Sequence, residues 1–409
     1  MKKNSERFLL ISPDFPPPLV GGSLVWLLNL VGNCPEQFDI LTGPKDEQYD
    51  EVFDLPNRVF RSRFIKDSHD PTKLQLLTTY CYLPFWMVKQ NFKEKYSAVL
   101  VNPGIIGNSI LFIVGKIFGI RVIGIGHGEE ITVPLYGKGL KNFIKRQVMN
   151  FSYSKASGFI VVCHFCRRLL VSLGVDAGIV DVIPSCLNPD KIKERTTTKD
   201  DNYNIISVGR LIERKGFHFL IDAVVKLKPE IPEIHLEIVG GGPYKAILEQ
   251  KIIETNSSDF INLNGQISDE DLVNLYQSSS LFVLAHTLLE NGDTEGCPTV
   301  FSEAMGHGLP VIGGTGAGAD TAIVDGRNGY IVNTPNIDEL ANAIKKIFLN
   351  PQLARDMKEF GKEKLEKDHN PKKNGIAMQK SILRLCANLE AEGYQKEFNE
   401  KPESTIYTE

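Results

Sequence analysis

Short apolar runs recur along this chain, each followed by a loop and then by a stretch with helical spacing. Phe8 to Ser12, Asp39 to Thr42, Ala98 to Val101, Val122 to Ile125 and Gly158 to Val162 are five such runs, and Val180 to Pro184 is a sixth. After a polar, charged interval the pattern resumes with Ile205-Ile206-Ser207-Val208 and His235-Leu236-Glu237-Ile238-Val239. Runs that are apolar nearly throughout suit strands covered by helices on both faces. Repeated strand–helix units with right-handed crossovers build parallel sheets. The expected fold is α/β: two Rossmann-like, doubly wound parallel-sheet domains facing a central cleft. A length of 409 residues agrees with two domains. The expected boundaries are 1–188 for the first domain, 189–203 for a linker and 204–370 for the second. Ser23 would cap a helix from Leu24 to Val31.

The loops carry the chemistry. The strand ending at Val208 runs into Gly209-Arg210, then Lys215-Gly216 and an amphipathic stretch from Phe217 to Leu227. Ligands of α/β sheets bind outside the carboxyl ends of the strands. Arg210 and Lys215 there suit a diphosphate, one as a planar fork and the other as a point charge. Gly240-Gly241-Gly242-Pro243 ends the next strand and lets backbone approach a ligand closely, Gly241 centrally. Further on, Glu295 and Glu303 bracket Gly296-Cys297-Pro298-Thr299-Val300-Phe301-Ser302. Pro298 suits the first position of a helix, expected over Thr299 to Met305. The free N–H groups of Thr299 and Val300 at its start would then bind an anion. Carboxylates on both sides accept from hydroxyls and repel phosphate. The implied ligand is a phosphate flanked by hydroxyl-rich groups, that is, a nucleotide sugar. The competing reading is two surface glutamates at a helix end.

Taken in order, Gly209-Arg210, Lys215-Gly216, Gly240 to Pro243, Gly265-Gln266-Ile267, Glu295-x7-Glu303 and Gly308-Leu309-Pro310-Val311-Ile312 resemble family four of the glycosyltransferases, retaining enzymes of the GT-B fold. The resemblance is dense over 203–333 and loose before it. It implies an acceptor-side first domain, a nucleotide-sugar-binding second domain, and a last helix, 371–395, that returns to the first domain ahead of a polar tail, 396–409. It implies that Gly21 and Gly22 meet the donor phosphates, that Glu303 binds the ribose and that Ile267 meets the base through its backbone. Glu295 and His127, the latter at the end of the strand Val122 to Ile125, would bind the transferred sugar. It also implies retention of configuration, with no obligatory metal and no cofactor beyond a UDP- or GDP-sugar donor. Asp269-Glu270-Asp271 has the form of a metal-ligand pair, but it follows Ser268 and reads as the acidic first turn of a capped helix. The resemblance is to members that build bacterial surface polysaccharides, acting on a glycan or lipid-linked acceptor. A sugar-nucleotide epimerase or hydrolase, or a non-catalytic nucleotide-sugar-binding module, remains as the alternative on this fold.

Composition adds limits. A net charge of -4 gives no overall reason to bind nucleic acid. Seven cysteines without dense spacing read as reduced thiols of a cytoplasmic protein. Cys163-x2-Cys166 has no second pair and reads as two incidental thiols at a strand end. The start of the chain lacks the pattern of a signal peptide, and no run has the length of a membrane span. Between Ile131 and Val175 the chain has seven Lys or Arg and no acid. Leu140, Phe143, Ile144, Val148, Met149 and Phe151 are interleaved with Lys138, Lys141, Lys145 and Arg146. The stretch 138–155 therefore has three readings: contact with an anionic membrane at its inner face, a seat for a lipid diphosphate acceptor, or a core-facing helix with a solvated basic face. Leu76 to Val88, with Tyr80, Tyr82, Phe85 and Trp86, reads either as a second contact or as core.

Overall fold

The computed structural model describes residues 7–13, 15, 22–33, 37–44, 57–65, 72–102, 104–186 and 202–387. The first half contains β1 (Phe8–Ile11), α1 (Gly22–Gly32), β2 (Phe38–Thr42), β3 (Arg58–Arg61), α2 (Lys73–Glu94), β4 (Ala98–Val101), α3 (Gly104–Phe118), β5 (Val122–Gly126), α4 (Glu129–Tyr136), α5 (Leu140–Tyr153), β6 (Gly158–Val161), α6 (His164–Ser172) and β7 (Val180–Val182). The second half contains β8 (Asn204–Val208), α7 (Phe217–Leu227), β9 (His235–Val239), α8 (Lys245–Glu254), β10 (Ile261–Gly265), α9 (Asp269–Ser278), β11 (Leu281–Leu284), α10 (Thr299–Gly306), β12 (Val311–Gly314), α11 (Ala319–Ala322), β13 (Gly329–Val332), α12 (Ile337–Phe348), α13 (Pro351–Asp368) and α14 (Pro371–Ala387).

The strands form two parallel sheets, seven-stranded in the order β3-β2-β1-β4-β5-β6-β7 and six-stranded in the order β10-β9-β8-β11-β12-β13. In each, the order reverses beside the first strand, β1 or β8, which is the doubly wound pattern expected from the apolar runs. The strands β1, β4, β6, β11 and β12 are buried along their whole length. β3 is the exception. Arg58-Val59-Phe60-Arg61 is an exposed or half-buried edge, and its charged ends hide it from a search for apolar runs. Arg58 and Arg7 hold the buried Asp39 of the neighbouring strand, with Arg7 Nη2 2.7 Å from its Oδ1.

Two expectations about helix starts need correction. α1 begins at Gly22, two residues before Leu24, so Ser23 lies inside its first turn and does not precede it. Pro298 is the cap residue before α10 and not its first helical residue; at φ -61° and ψ 116° it keeps an extended backbone. Ser268 does cap α9, accepting from the Asp271 N–H at 3.1 Å, with three acids in the first turn. Such acids favour the positive end of the helix. Among the described residues no group of three metal-ligating side chains comes together.

Most of 189–203, all of 388–409 and Gly21 lie outside the described residues. The last described helix, α14, packs on α1 and β6 of the first sheet. Arg384 donates to the Gly178 carbonyl and pairs with Asp181 at 2.8 Å. Leu385 lies against Gly158, where a Cβ would come within 2.6 Å of its side chain. α6 meets α11 of the second half through the pair Arg168–Asp320 at 2.5 Å and a hydrogen bond from the His164 N–H to Thr321 Oγ1 at 2.9 Å.

Candidate functional site

Loops at the carboxyl ends of β8, β9 and β10 are laced together by backbone. The Gly209 N–H donates to Val239, Leu211 to Gly241 and Gly240 to Gly265, at 2.8–3.0 Å. Gly240 sits at φ +143°, and a Cβ there would stand 1.9 Å from the Gly209 carbonyl oxygen. Only glycine allows this approach. Gly241 is next to the Gln266 side chain, and the half-buried Ile267 follows just past the end of β10. The three loops thus make one rim.

Gly216 turns the β8 loop into α7. Its φ of +67° is left-handed, and a Cβ would strike the Ala285 carbonyl oxygen at 1.8 Å. The loop is therefore pressed onto the end of β11, which brings Lys215 to the segment after that strand. Lys215 is only 9% exposed. Its stem lies along Gly209, and its Nζ is 2.9 Å from Glu295 Oε2. Arg214 Nε holds the other oxygen of Glu295 at 2.7 Å, and Arg214 Nη1 reaches Asp293 at 3.0 Å. The Arg214 carbonyl accepts from the Thr287 N–H at 2.9 Å. Burial pushes the Glu295 carboxyl upward, but the charges of Lys215 and Arg214 outweigh it and hold it down at about 2. A buried carboxylate persists as a charge only with such partners.

Arg210 is not part of this cluster. It is exposed, and its side chain has no ion-pair partner among the described residues. The sequence pairs Arg210 with Lys215 for a diphosphate; the cation that joins Lys215 on Glu295 is Arg214, which the sequence reading did not single out. Glu303 lies on the helix that follows Glu295. It is half-buried on α10, and its charge lies beside Tyr276, whose hydroxyl burial and this carboxylate push well above its ordinary range. Thr299 and Val300 open α10, half-buried. Asp293 and His286 were not anticipated. The Asn291-Gly292-Asp293 turn was the available signal for the first. His286 is fully buried; its Nδ1 lies 3.0 Å from the Leu284 carbonyl, and its Nε2 has no hydrogen-bond partner among the described residues. Burial lowers its pKa to about 4.

The two sheets meet at their carboxyl ends. Gly296 lies so close to the His127–Gly128 backbone that a Cβ would stand 1.8 Å from the His127 carbonyl oxygen. A Cβ on Gly318 would stand 1.6 Å from that of Gly296 and 2.8 Å from Cys163 Sγ. Gly292, at φ +88°, carries the long loop between His286 and Glu295 against the Thr132 carbonyl of α4. His127, half-buried, meets Trp26 edge-on at 5.2 Å, and Trp26 donates to the carbonyls of Ile183 and Pro184. Gly22, the first residue of α1, is four positions before Trp26 on the same helix. His127 and Glu295 therefore flank one interdomain seam. Cys163 caps α6, accepting from the Cys166 N–H at 3.4 Å, with the two sulfurs 3.1 Å apart.

Two α/β domains of this form, joined face to face, define the GT-B fold of glycosyltransferases. Residues 188–364 match the family model "Glycosyl transferases group 1". Among curated proteins, the GDP-mannose-dependent alpha-(1-6)-phosphatidylinositol monomannoside mannosyltransferase of Mycolicibacterium smegmatis is 29% identical over 247 residues. That match takes in 58% of this chain and 63% of the relative's length. Among solved structures, the sucrose-phosphate synthase of Thermosynechococcus elongatus superposes with a TM-score of 0.74 at 20% identity, over 94% of this chain and 100% of that one. The Anabaena protein HepE in complex with UDP gives 0.70 at 18% identity, over 92% and 99%.

Proposed function

We propose that the chain is a metal-independent glycosyltransferase that moves a sugar from a nucleotide-sugar donor to a glycan or lipid-linked acceptor with retention of configuration, in polysaccharide or glycoconjugate synthesis. The observation that carries this reading is the buried Lys215–Glu295–Arg214 cluster beside the exposed Arg210, at the carboxyl ends of strands facing a second such sheet. Breaking a sugar–phosphate bond leaves negative charge on the departing diphosphate. Arg210 and Lys215, with the N–H groups of Thr299 and Val300 and the glycine loop at Gly21 and Gly22, would take that charge. Preorganised donors of this kind are often the largest catalytic contribution.

Lys215 has two roles in this scheme. It neutralises Glu295 before the donor binds and turns to the diphosphate when the donor arrives. Arg214 stays on Glu295 and keeps it ionised to accept from the sugar hydroxyls. Glu303 binds the ribose, Ile267 meets the base through its backbone, and His127 orients the sugar across the seam. The acceptor then attacks on the leaving-group face. The donor is a UDP- or GDP-sugar, and relatives support both: the mannosyltransferase is named for GDP-mannose, and HepE was solved with UDP. Work at the inner face of the cytoplasmic membrane fits a lipid-linked acceptor.

The test is turnover with UDP- and GDP-sugars in the presence of a chelator, with and without a lipid extract as acceptor. Acceptor-dependent release of nucleoside diphosphate is the expected result. Equal turnover without acceptor favours the hydrolase or epimerase reading, and binding without turnover favours the binding module.

A further inference from the structure

Among the described residues, twelve of the twenty exposed large apolar side chains lie on α2, α3 and α5. These helices are neighbours, with α3 packed between the other two. Each turns an apolar stripe away from the core. On α5, Leu140, Phe143, Ile144, Val148 and Phe151 share one face and are 36–74% exposed, while Met149, Ser152 and Tyr153 face inward. On α3, Ile106 and Ile117 lie three turns apart at 43% and 71% exposure. On α2, Leu74, Leu77, Phe85 and Phe92 are 59–71% exposed, whereas Leu83 and Met87 are buried. A surface helix of a globular protein usually does the reverse, and apolar patches of this extent mark contact surfaces.

The charges around the stripes are nearly all positive. The three helices carry Lys73, Lys89, Lys93, Lys116, Lys141, Lys145 and Arg146 against a single acid, Glu94. Glu94 is held by Arg7 and Arg58. Lys155 lies over the Phe151 ring at 5.4 Å, and Lys138 at the head of α5 is 3.7 Å from Glu290. The whole chain is nonetheless acidic, at -4. No described helix is long and apolar enough to cross a membrane.

We infer that the outer faces of α2, α3 and α5 together form a docking surface for an anionic lipid bilayer. Aromatic and aliphatic side chains enter the headgroup boundary, and the lysines meet acidic headgroups. The surface thus extends well beyond residues 138–155. A second copy is a poorer occupant. A twofold interface sets a patch against itself, which would oppose lysine with lysine. The docking is independent of the reaction, so either can fail alone.

The experiment is flotation of the full chain with phosphatidylcholine vesicles, with and without phosphatidylglycerol. Binding is expected only with the anionic lipid and should fall with added salt. Leu77→Ser with Phe85→Ser on α2, and Phe143→Ser with Ile144→Ser on α5, should each weaken partition roughly tenfold or more. Lys141→Gln with Lys145→Gln should do the same. All three variants should keep the wild-type melting temperature and nucleotide affinity, since the altered side chains are outside the donor site. Equal binding to neutral vesicles overturns the role of charge. Loss in the α5 variants alone overturns the three-helix surface. Failure to float, together with a concentration-dependent dimer broken by the same variants, assigns the face to a second copy.

Discussion

Lys215→Met removes one of the two cations on Glu295 while keeping most of the stem that packs along Gly209. Two effects of different size follow. In the empty protein, a buried pair loses a partner. Such a loss costs about 3–5 kcal/mol, and the low end applies because Arg214 Nε remains 2.7 Å from the carboxylate. The Glu295 carboxyl, held at about 2 by both cations, should move back toward the ordinary range. In the donor complex, one preorganised donor to the diphosphate is gone, which lowers kcat by roughly a hundredfold to a thousandfold. The double variant Lys215→Met/Glu295→Gln separates the two. It no longer buries an under-compensated charge, so chemical denaturation should show stability largely restored. Calorimetric titration should still show weak nucleoside diphosphate binding, because Glu295 does not hold the diphosphate. If Lys215→Met binds the diphosphate as tightly as wild type, or if the double variant recovers affinity with stability, Lys215 serves only Glu295 and the argument fails.

Acid should unfold the protein in a defined window. Burial lowers His286 and His369 to about 4, against about 6.5 when unfolded. The unfolded chain binds more protons between these values. Stability from each histidine is thus complete above about 6.5 and is lost as the pH falls toward 4, by up to roughly 3 kcal/mol apiece. Urea midpoints measured from about pH 7.5 down to about pH 5 should drop, and a flat profile would contradict the burial of both rings. Gly216→Ala should destabilise by more than about 2 kcal/mol, from left-handed backbone and the clash with Ala285, whereas Gly32→Ala, which meets nothing within 4 Å, should leave the melting temperature nearly unchanged. Gly296→Ala should push the two domains apart, raising the donor KM and the radius of gyration by small-angle scattering; wild-type values for both would disprove the seam at His127.

The two sheets were readable because most of their strands are buried on both faces, so Phe8 to Ile11 and Ile205 to Val208 stand out as apolar runs. β3 was not, because it is a partly exposed edge strand with an arginine at each end, Arg58 and Arg61, around only two apolar residues. The order of the site loops was readable from glycines that backbone contact demands, Gly216 and Gly240 among them. The identity of the cation on Glu295 was not. Arg210, Arg214 and Lys215 lie within six residues, and only the turn at Gly216 decides which side chains point inward. The direction of α5 was equally hidden. Its 3.6-residue periodicity shows that one face is apolar but not whether that face meets the core or the outside.

The central claim is that the rim holding Arg210 and Lys215 binds a nucleotide diphosphate without metal. Isothermal titration of UDP and GDP into wild type and Arg210→Ala, with chelator present, tests it most directly. Binding of at least one nucleotide to wild type, weakened tenfold or more in Arg210→Ala, is the predicted result. No binding of either, or equal affinity in the variant, would contradict it.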